Sequence, residues 1–143
     1  MAGRYTMPDR YPPEDPREWM NRAYSNLTLA AKGTNSGVYL EDLCYNAQQA
    51  VEKAIKAIFI LHHITFPYIH DIAALITLLQ NNNINVPESV KESAKLTRFA
   101  IATRYPYILA PVTEHEYKRA IGIAEDVVRW AMEEIHIKKD GMH

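Results

Sequence analysis

Apolar residues recur every three to four positions along most of the chain, in blocks separated by short polar or proline-bearing stretches, which is the pattern of amphipathic helices. Met20, Ala23, Leu27, Ala30 and Ala31 form the first block. Ahead of it, Asp15-Pro16-Arg17-Glu18 supplies an N-cap, a proline at the first helical position and a glutamate at the third, and Gly33 supplies a stop. The second block is the longest. Leu43, Ala47, Ala50, Ala54, Ile58 and Leu61 make one stripe and Cys44, Val51, Ile55 and Phe59 its neighbour. A helix from about Tyr39 to His63 is thereby covered over more than half its circumference and belongs at the centre of the fold. Its remaining face carries Tyr45, Gln49, Glu52 and Lys56, flanked by Gln48 and Lys53.

Asp71 places a negative charge in the first turn of a third, short helix through Leu75, Leu78 and Leu79, which Asn81-Asn82-Asn83 ends. Pro87-Glu88 opens a fourth helix that closes before Tyr105-Pro106. Thr113-Glu114-His115-Glu116 is a second capping box, and Tyr117, Ala120, Ile121, Ala124, Val127, Val128, Ala131, Met132 and Ile135 line one face of the fifth helix. No segment alternates like a strand. The expected fold is therefore all-α, an up-and-down antiparallel bundle of about five helices around a four-helix core. Residues 1–14, with Pro8, Pro12 and Pro13, read as an N-terminal arm, 15–138 as the bundle and 139–143 as a tail.

The length of 143 residues suits one domain, large enough to stand on its own core. One cysteine excludes an internal disulfide framework, and the charged and proline-bearing start does not read as a secretory leader. The apolar run Ala57 to Leu61 is too short to span a bilayer. A soluble, cytoplasmic protein is expected. With sixteen basic and seventeen acidic side chains, no global field draws the chain to nucleic acid or membrane.

Candidate chemistry is sparse. The six histidines do not fall at metal-ligand spacing, the glycines form no phosphate loop, and neither a metal nor a cofactor is expected. Cys44 lies on the apolar stripe and reads as a buried structural thiol. The basic residues say more. Lys91, Lys95 and Arg98 at i, i+4 and i+7 line one face of an α-helix, followed by Arg104, Lys118 and Arg119. From Lys91 to Arg119 six basic residues stand against three acidic ones, an excess suited to phosphates, and Tyr105 and Tyr107 beside Arg104 offer rings for stacking.

The run Cys44-Tyr45-Asn46-Ala47-Gln48-Gln49-Ala50-Val51-Glu52-Lys53-Ala54-Ile55-Lys56-Ala57 resembles the second-helix signature of HEPN domains. Phe66-Pro67, His70-Asp71-Ile72 and Thr103-Arg104-Tyr105-Pro106 follow in that family's order, so the resemblance covers about Arg17 to Glu134. It implies a helical bundle that pairs into homodimers and, for small prokaryotic members, a two-gene, toxin–antitoxin-like module with a minimal nucleotidyltransferase. The residues then expected to contact nucleotide or RNA are Arg104, Tyr105, Lys53, Gln49, Lys95 and Arg98.

Many HEPN proteins are also metal-independent endoribonucleases, with an arginine and a histidine separated by four to six residues and two copies meeting across the dimer. Arginine holds the phosphate, and histidine moves the 2′-hydroxyl proton. Arg129 and His136 match that spacing and are the expected catalytic pair of this alternative. Eight arginines and six histidines in this length give about one such match by chance. Trp130 also stands where catalytic members place a polar residue. A dimeric interaction module without catalysis is the third reading.

Overall fold

The four longest helices each begin or end where a side chain or a left-handed residue satisfies terminal backbone groups. The computed structural model describes residues 8–33, 35, 37–102 and 110–140, of which 102, 139 and 140 are described by backbone alone. Helix α1 spans Pro16–Ala30, α2 Leu40–Leu61, α3 Ile72–Asn81, α4 Glu88–Lys91, α5 Arg98–Ala102 and α6 Glu114–Asp140, with a 3₁₀ segment, Glu92–Thr97, joining α4 to α5. No strand occurs among the described residues. The all-helical expectation holds, with α4, the 3₁₀ segment and α5 making up the fourth helix.

The caps follow the sequence closely, with one exception. Asp71 Oδ1 accepts the Ala73 N–H at 3.0 Å at the start of α3. Thr113 and Glu116 form the reciprocal box, Thr113 Oγ1 accepting the Glu116 N–H and Glu116 Oε1 the Thr113 N–H. At α1, Asp15 caps as expected, accepting the Arg17 N–H at 2.9 Å. Glu18, however, does not close the box. Its carboxylate takes the Tyr11 N–H and the Arg22 Nε, because the Asp15 N–H is already turned to the Pro12 carbonyl.

Helix α2 is the central element, packed against α1, α3, the 3₁₀–α5 arm and α6. Its two apolar stripes are fully buried from Cys44 to Phe59. Helix α1 runs antiparallel to it, tied by Asn26 to Asn46 at 3.0 Å and, near its start, by Trp19 edge-on to Phe66 at 5.5 Å. Helix α6 runs with α2. Glu41 at one end accepts the Val112 N–H, and Lys138 at the other caps the Leu61 carbonyl at 3.0 Å, a cation at a helix C-terminus. Tyr117 closes α1 onto α6: its hydroxyl donates to the Ala30 carbonyl at 2.6 Å and accepts the Gly33 N–H at 3.1 Å.

The fourth helix departs from α geometry for a reason written in its sequence. Val90, Ser93, Leu96 and Phe99 are its buried residues, spaced by three. A 3₁₀ helix keeps i and i+3 on one line, whereas an α-helix would rotate them away from the core. The change of period also realigns the basic residues. Lys95 and Arg98 now share a row with Glu92, and Lys91 turns aside to Glu88 at 3.3 Å, so the expected Lys91–Lys95–Arg98 stripe is not one row.

Candidate functional site

The polar face of α2 is not a solvated face. Glu52, 3% exposed, lies among Gln48 and Lys56, also buried. Lys56 Nζ reaches Glu52 Oε1 at 2.8 Å, Gln48 Nε2 donates to Oε2 at 2.8 Å, and His70 Nδ1 stands 3.0 Å from Oε1. Gln49 turns inward as well, donating to Gln48 Oε1 at 2.8 Å. Burial alone would raise the Glu52 carboxyl. Hydrogen bonds from Lys56 and Gln48, the Lys56 charge and the His70 contact outweigh it and hold the group below the usual carboxylate range. The expected Gln49 contact surface is thus part of an internal network, and His70 serves that network while Asp71 caps α3.

Lys53 leaves this network for the other flank of α2. Its half-buried ammonium donates to Asn26 Oδ1 at 2.7 Å, toward α1 and the N-terminal arm. Lys95 and Arg98 stand elsewhere. They border a cleft of about 480 Å³ between the 3₁₀–α5 arm and α6, whose other cationic side chain is Arg119 and whose histidine is His115. Leu96, Phe99, Ala120 and Ile123 give it an apolar floor.

Two carboxylates restrain the cations here. Lys95 pairs with Glu92, and Arg98 with Glu116 at 3.1 Å. The Thr113 backbone N–H, and then Arg98, hold Glu116 below the usual carboxylate range, so it stays ionised. Among the described residues Arg119 has no ion-pair partner. The cleft therefore offers a guanidinium, Arg119, that feels the Glu92 charge without pairing to it, and two cations that are shared with acids, over an apolar surface that a flat ring fits.

Sequence reasoning placed Lys95 and Arg98 among the expected contacts, counted Arg119 in the basic excess without giving it a contact, and missed His115. The signal available was weak: Lys118 and Arg119 open α6, but only the approach of α6 to α5 makes Arg119 a neighbour of Arg98. Arg104 and Tyr105, with the whole Thr103–Pro106 turn, lie outside the described residues.

Arg129 and His136 are both exposed on α6, on nearly one face and about 10.5 Å apart along the axis. Arg129 is paired with Asp126 at 3.0 Å. Trp130, between them in sequence, is turned inward and 8% exposed. The two sites therefore lie apart, since none of these residues borders the α5–α6 cleft. Among the described residues no three metal-ligating side chains gather, and no helix is long and apolar enough to cross a membrane.

The fold and cleft define a helical-bundle protein with a charged surface over an apolar floor. The HEPN domain family model matches residues 16–135, and the chain belongs to that family. It is similar to TT1696 from Thermus thermophilus, with 30% identity over 82% of this chain and 96% of that one and a TM-score of 0.72. It is similar also to ST0689, an archaeal HEPN homologue, with 26% identity over 85% of this chain and 98% of that one and a TM-score of 0.68. No protein of curated function matches the chain.

Proposed function

We propose that this HEPN protein is the nucleotide- or RNA-binding component of a two-gene module with a minimal nucleotidyltransferase, and that the α5–α6 cleft is where phosphate is held. The observation that carries the reading is the meeting of Lys95, Arg98, Arg119 and His115 around one apolar floor. Cations at the rim take the phosphate by charge-assisted hydrogen bonds, and Phe99 with its neighbours supports a base without reading its identity. Arg98 is poised above the Phe99 ring, 4.6 Å from its centre, and exchanges Glu116 for a phosphate oxygen on binding.

Fluorescence anisotropy with a labelled single-stranded RNA tests this. Arg98→Ala and Arg119→Ala are each expected to weaken binding by about tenfold, the loss of one charge-assisted contact. Unchanged affinity in both removes the cleft from consideration. Co-expression with a minimal nucleotidyltransferase encoded beside it tests the module, and separate elution of the two proteins counts against it.

A second reading is a metal-independent endoribonuclease built on a homodimer, favoured by the exposure of Arg129 and His136 on one face of α6. It requires that the protein cleave a structured RNA in EDTA, and that Arg129→Ala and His136→Ala each abolish cleavage while leaving the dimer intact. Cleavage retained in both variants excludes this pair.

A further inference from the structure

A second cavity, of about 350 Å³, opens where the N-terminal arm crosses α1 toward α2, lined by Tyr11, Pro13, Glu18, Trp19, Arg22 and Lys53. The arm is tied down on this side of the bundle. Tyr11 N–H donates to Glu18 Oε1 at 2.9 Å, the Trp19 indole N–H to the Pro13 carbonyl at 2.8 Å, and Asn21 Nδ2 to the Asp9 carbonyl at 2.7 Å. The Arg17 guanidinium lies over the outer Tyr11 ring, 4.0 Å from its centre. Two aromatic rings and a proline thereby become fixed walls.

The charge inside those walls is unbalanced. Lys53 has three N–H donors and gives one, to Asn26. Among the described residues no carboxylate stands within ion-pair reach of it. Arg22 gives its Nε to Glu18 Oε2 at 2.7 Å and keeps its terminal groups. Glu18 has both oxygens engaged, one by the arm and one by Arg22. Two cations thus face one satisfied anion. Burial, and then the neighbouring Arg22, push the Lys53 ammonium below its ordinary value, and the Glu52 charge on the other side of α2 offsets them only in part.

We infer that this pocket binds a small anion carried on a planar ring, of the class of a nucleoside monophosphate or an aromatic carboxylate. The ring lies against Tyr11, Pro13 and Trp19, and the anionic group is received by Lys53 and Arg22. The size is that of a small-ligand site, and the combination of flat apolar walls with a few convergent polar groups is how such sites fix orientation. This site is separate from the α5–α6 cleft and does not depend on it.

Trp19 makes the test direct. The chain has two tryptophans, so in a Trp130→Phe variant the emission reports on the pocket alone. AMP and benzoate are titrated, with adenosine as a neutral ring and inorganic phosphate as a ringless anion. Calorimetry on the unaltered protein provides the same affinities should that variant not fold. A saturable response to AMP or benzoate, about tenfold stronger than to adenosine or phosphate, is expected, and Lys53→Met is expected to weaken it about tenfold. Response to AMP alone assigns a phosphate monoester; response to benzoate alone assigns a carboxylate. No response to either ligand, adenosine binding as well as AMP, or full binding by Lys53→Met overturns the inference. So does AMP binding that Arg98→Ala and Arg119→Ala abolish, which would move the ligand to the other cleft. Absence of RNA binding with AMP binding kept would instead remove the α5–α6 cleft as the place where RNA phosphate is held and leave this pocket standing.

Discussion

A carboxylate that is 3% exposed survives in the middle of α2 only because its neighbours replace water completely. Glu52 receives Lys56, Gln48 and His70 at hydrogen-bond distance, and the described residues contain no buried side-chain polar atom without a partner. Removing one partner of a buried pair is costlier than removing both, since the survivor keeps its desolvation. Glu52→Ala is therefore expected to lower stability by about 3–5 kcal/mol in urea unfolding, because Lys56 remains buried without its counter-charge. Acid should act at the same place. The folded carboxyl titrates below its ordinary value of 4.5, so its contribution is complete above that pH and is lost as pH falls through the lower folded value. Below the ordinary carboxylate range the native protein is expected to lose stability more steeply than Glu52→Gln, and parallel acid unfolding curves would remove this assignment. Cys44 gives a second reading at this scale. Burial pushes its thiol up to about 12, with small opposed effects of Arg98 and Glu41, so iodoacetamide should modify it only on unfolding. Rapid labelling of the native protein would mean that the α2 stripe opens.

Two helices end in the same way, and neither ending uses glycine. After α2, His63 adopts a φ of 57°, with its N–H on the Ile60 carbonyl and the Ile64 N–H on that of Phe59. After α3, Asn83 adopts a φ of 65°, with its N–H on Gln80 and that of Ile84 on Leu79. Both are Schellman motifs, with Ile64 and Ile84 packed back on the core. Asparagine and histidine enter the left-handed region more readily than most side chains, yet both carry a Cβ there that glycine lacks. His63→Gly is thus expected to stabilise the protein by about 1 kcal/mol, seen as a rise of about 2–4 °C in Tm. No rise would mean that the exposed ring contributes a contact that offsets the strain. The Asn81-Asn82-Asn83 stop was legible from residue type, as were the Asp71 and Thr113 caps, because caps depend on neighbours within a few positions. Glu18 was not, since its partner depends on where the Pro12-Pro13 turn brings Tyr11. The 3₁₀ segment lay between: the spacing of Val90, Ser93, Leu96 and Phe99 was visible, but reading the basic residues at an α period concealed it.

At the scale of the molecule, helix order, the central place of α2 and the buried stripes followed from periodicity, because one face per helix must be covered whatever the partner. Site membership did not follow, since it depends on helices crossing. Lys53 and Lys95 look alike as basic positions on helical faces, yet one turns to α1 and the arm and the other to α6. Arg119 joins Arg98 only through that second crossing. The charge balance of the whole chain then decides how the cleft behaves. With a net charge of −1 there is no long-range attraction for RNA, so binding in the α5–α6 cleft rests on local contacts that displace counterions. Its permanent cations are Lys95, Arg98 and Arg119. Each phosphate neutralised on a single strand contributes about −0.7 to the slope of log K against log salt, so full engagement of the three predicts a slope of about −2. Arg119→Ala should flatten that slope by about 0.7, more cleanly than Arg98→Ala, because removing Arg98 also frees Glu116 to repel the ligand. A slope near zero, or one that Arg119→Ala leaves unchanged, would mean that RNA engages a different face of the bundle, where Arg129 is the exposed cation to remove next.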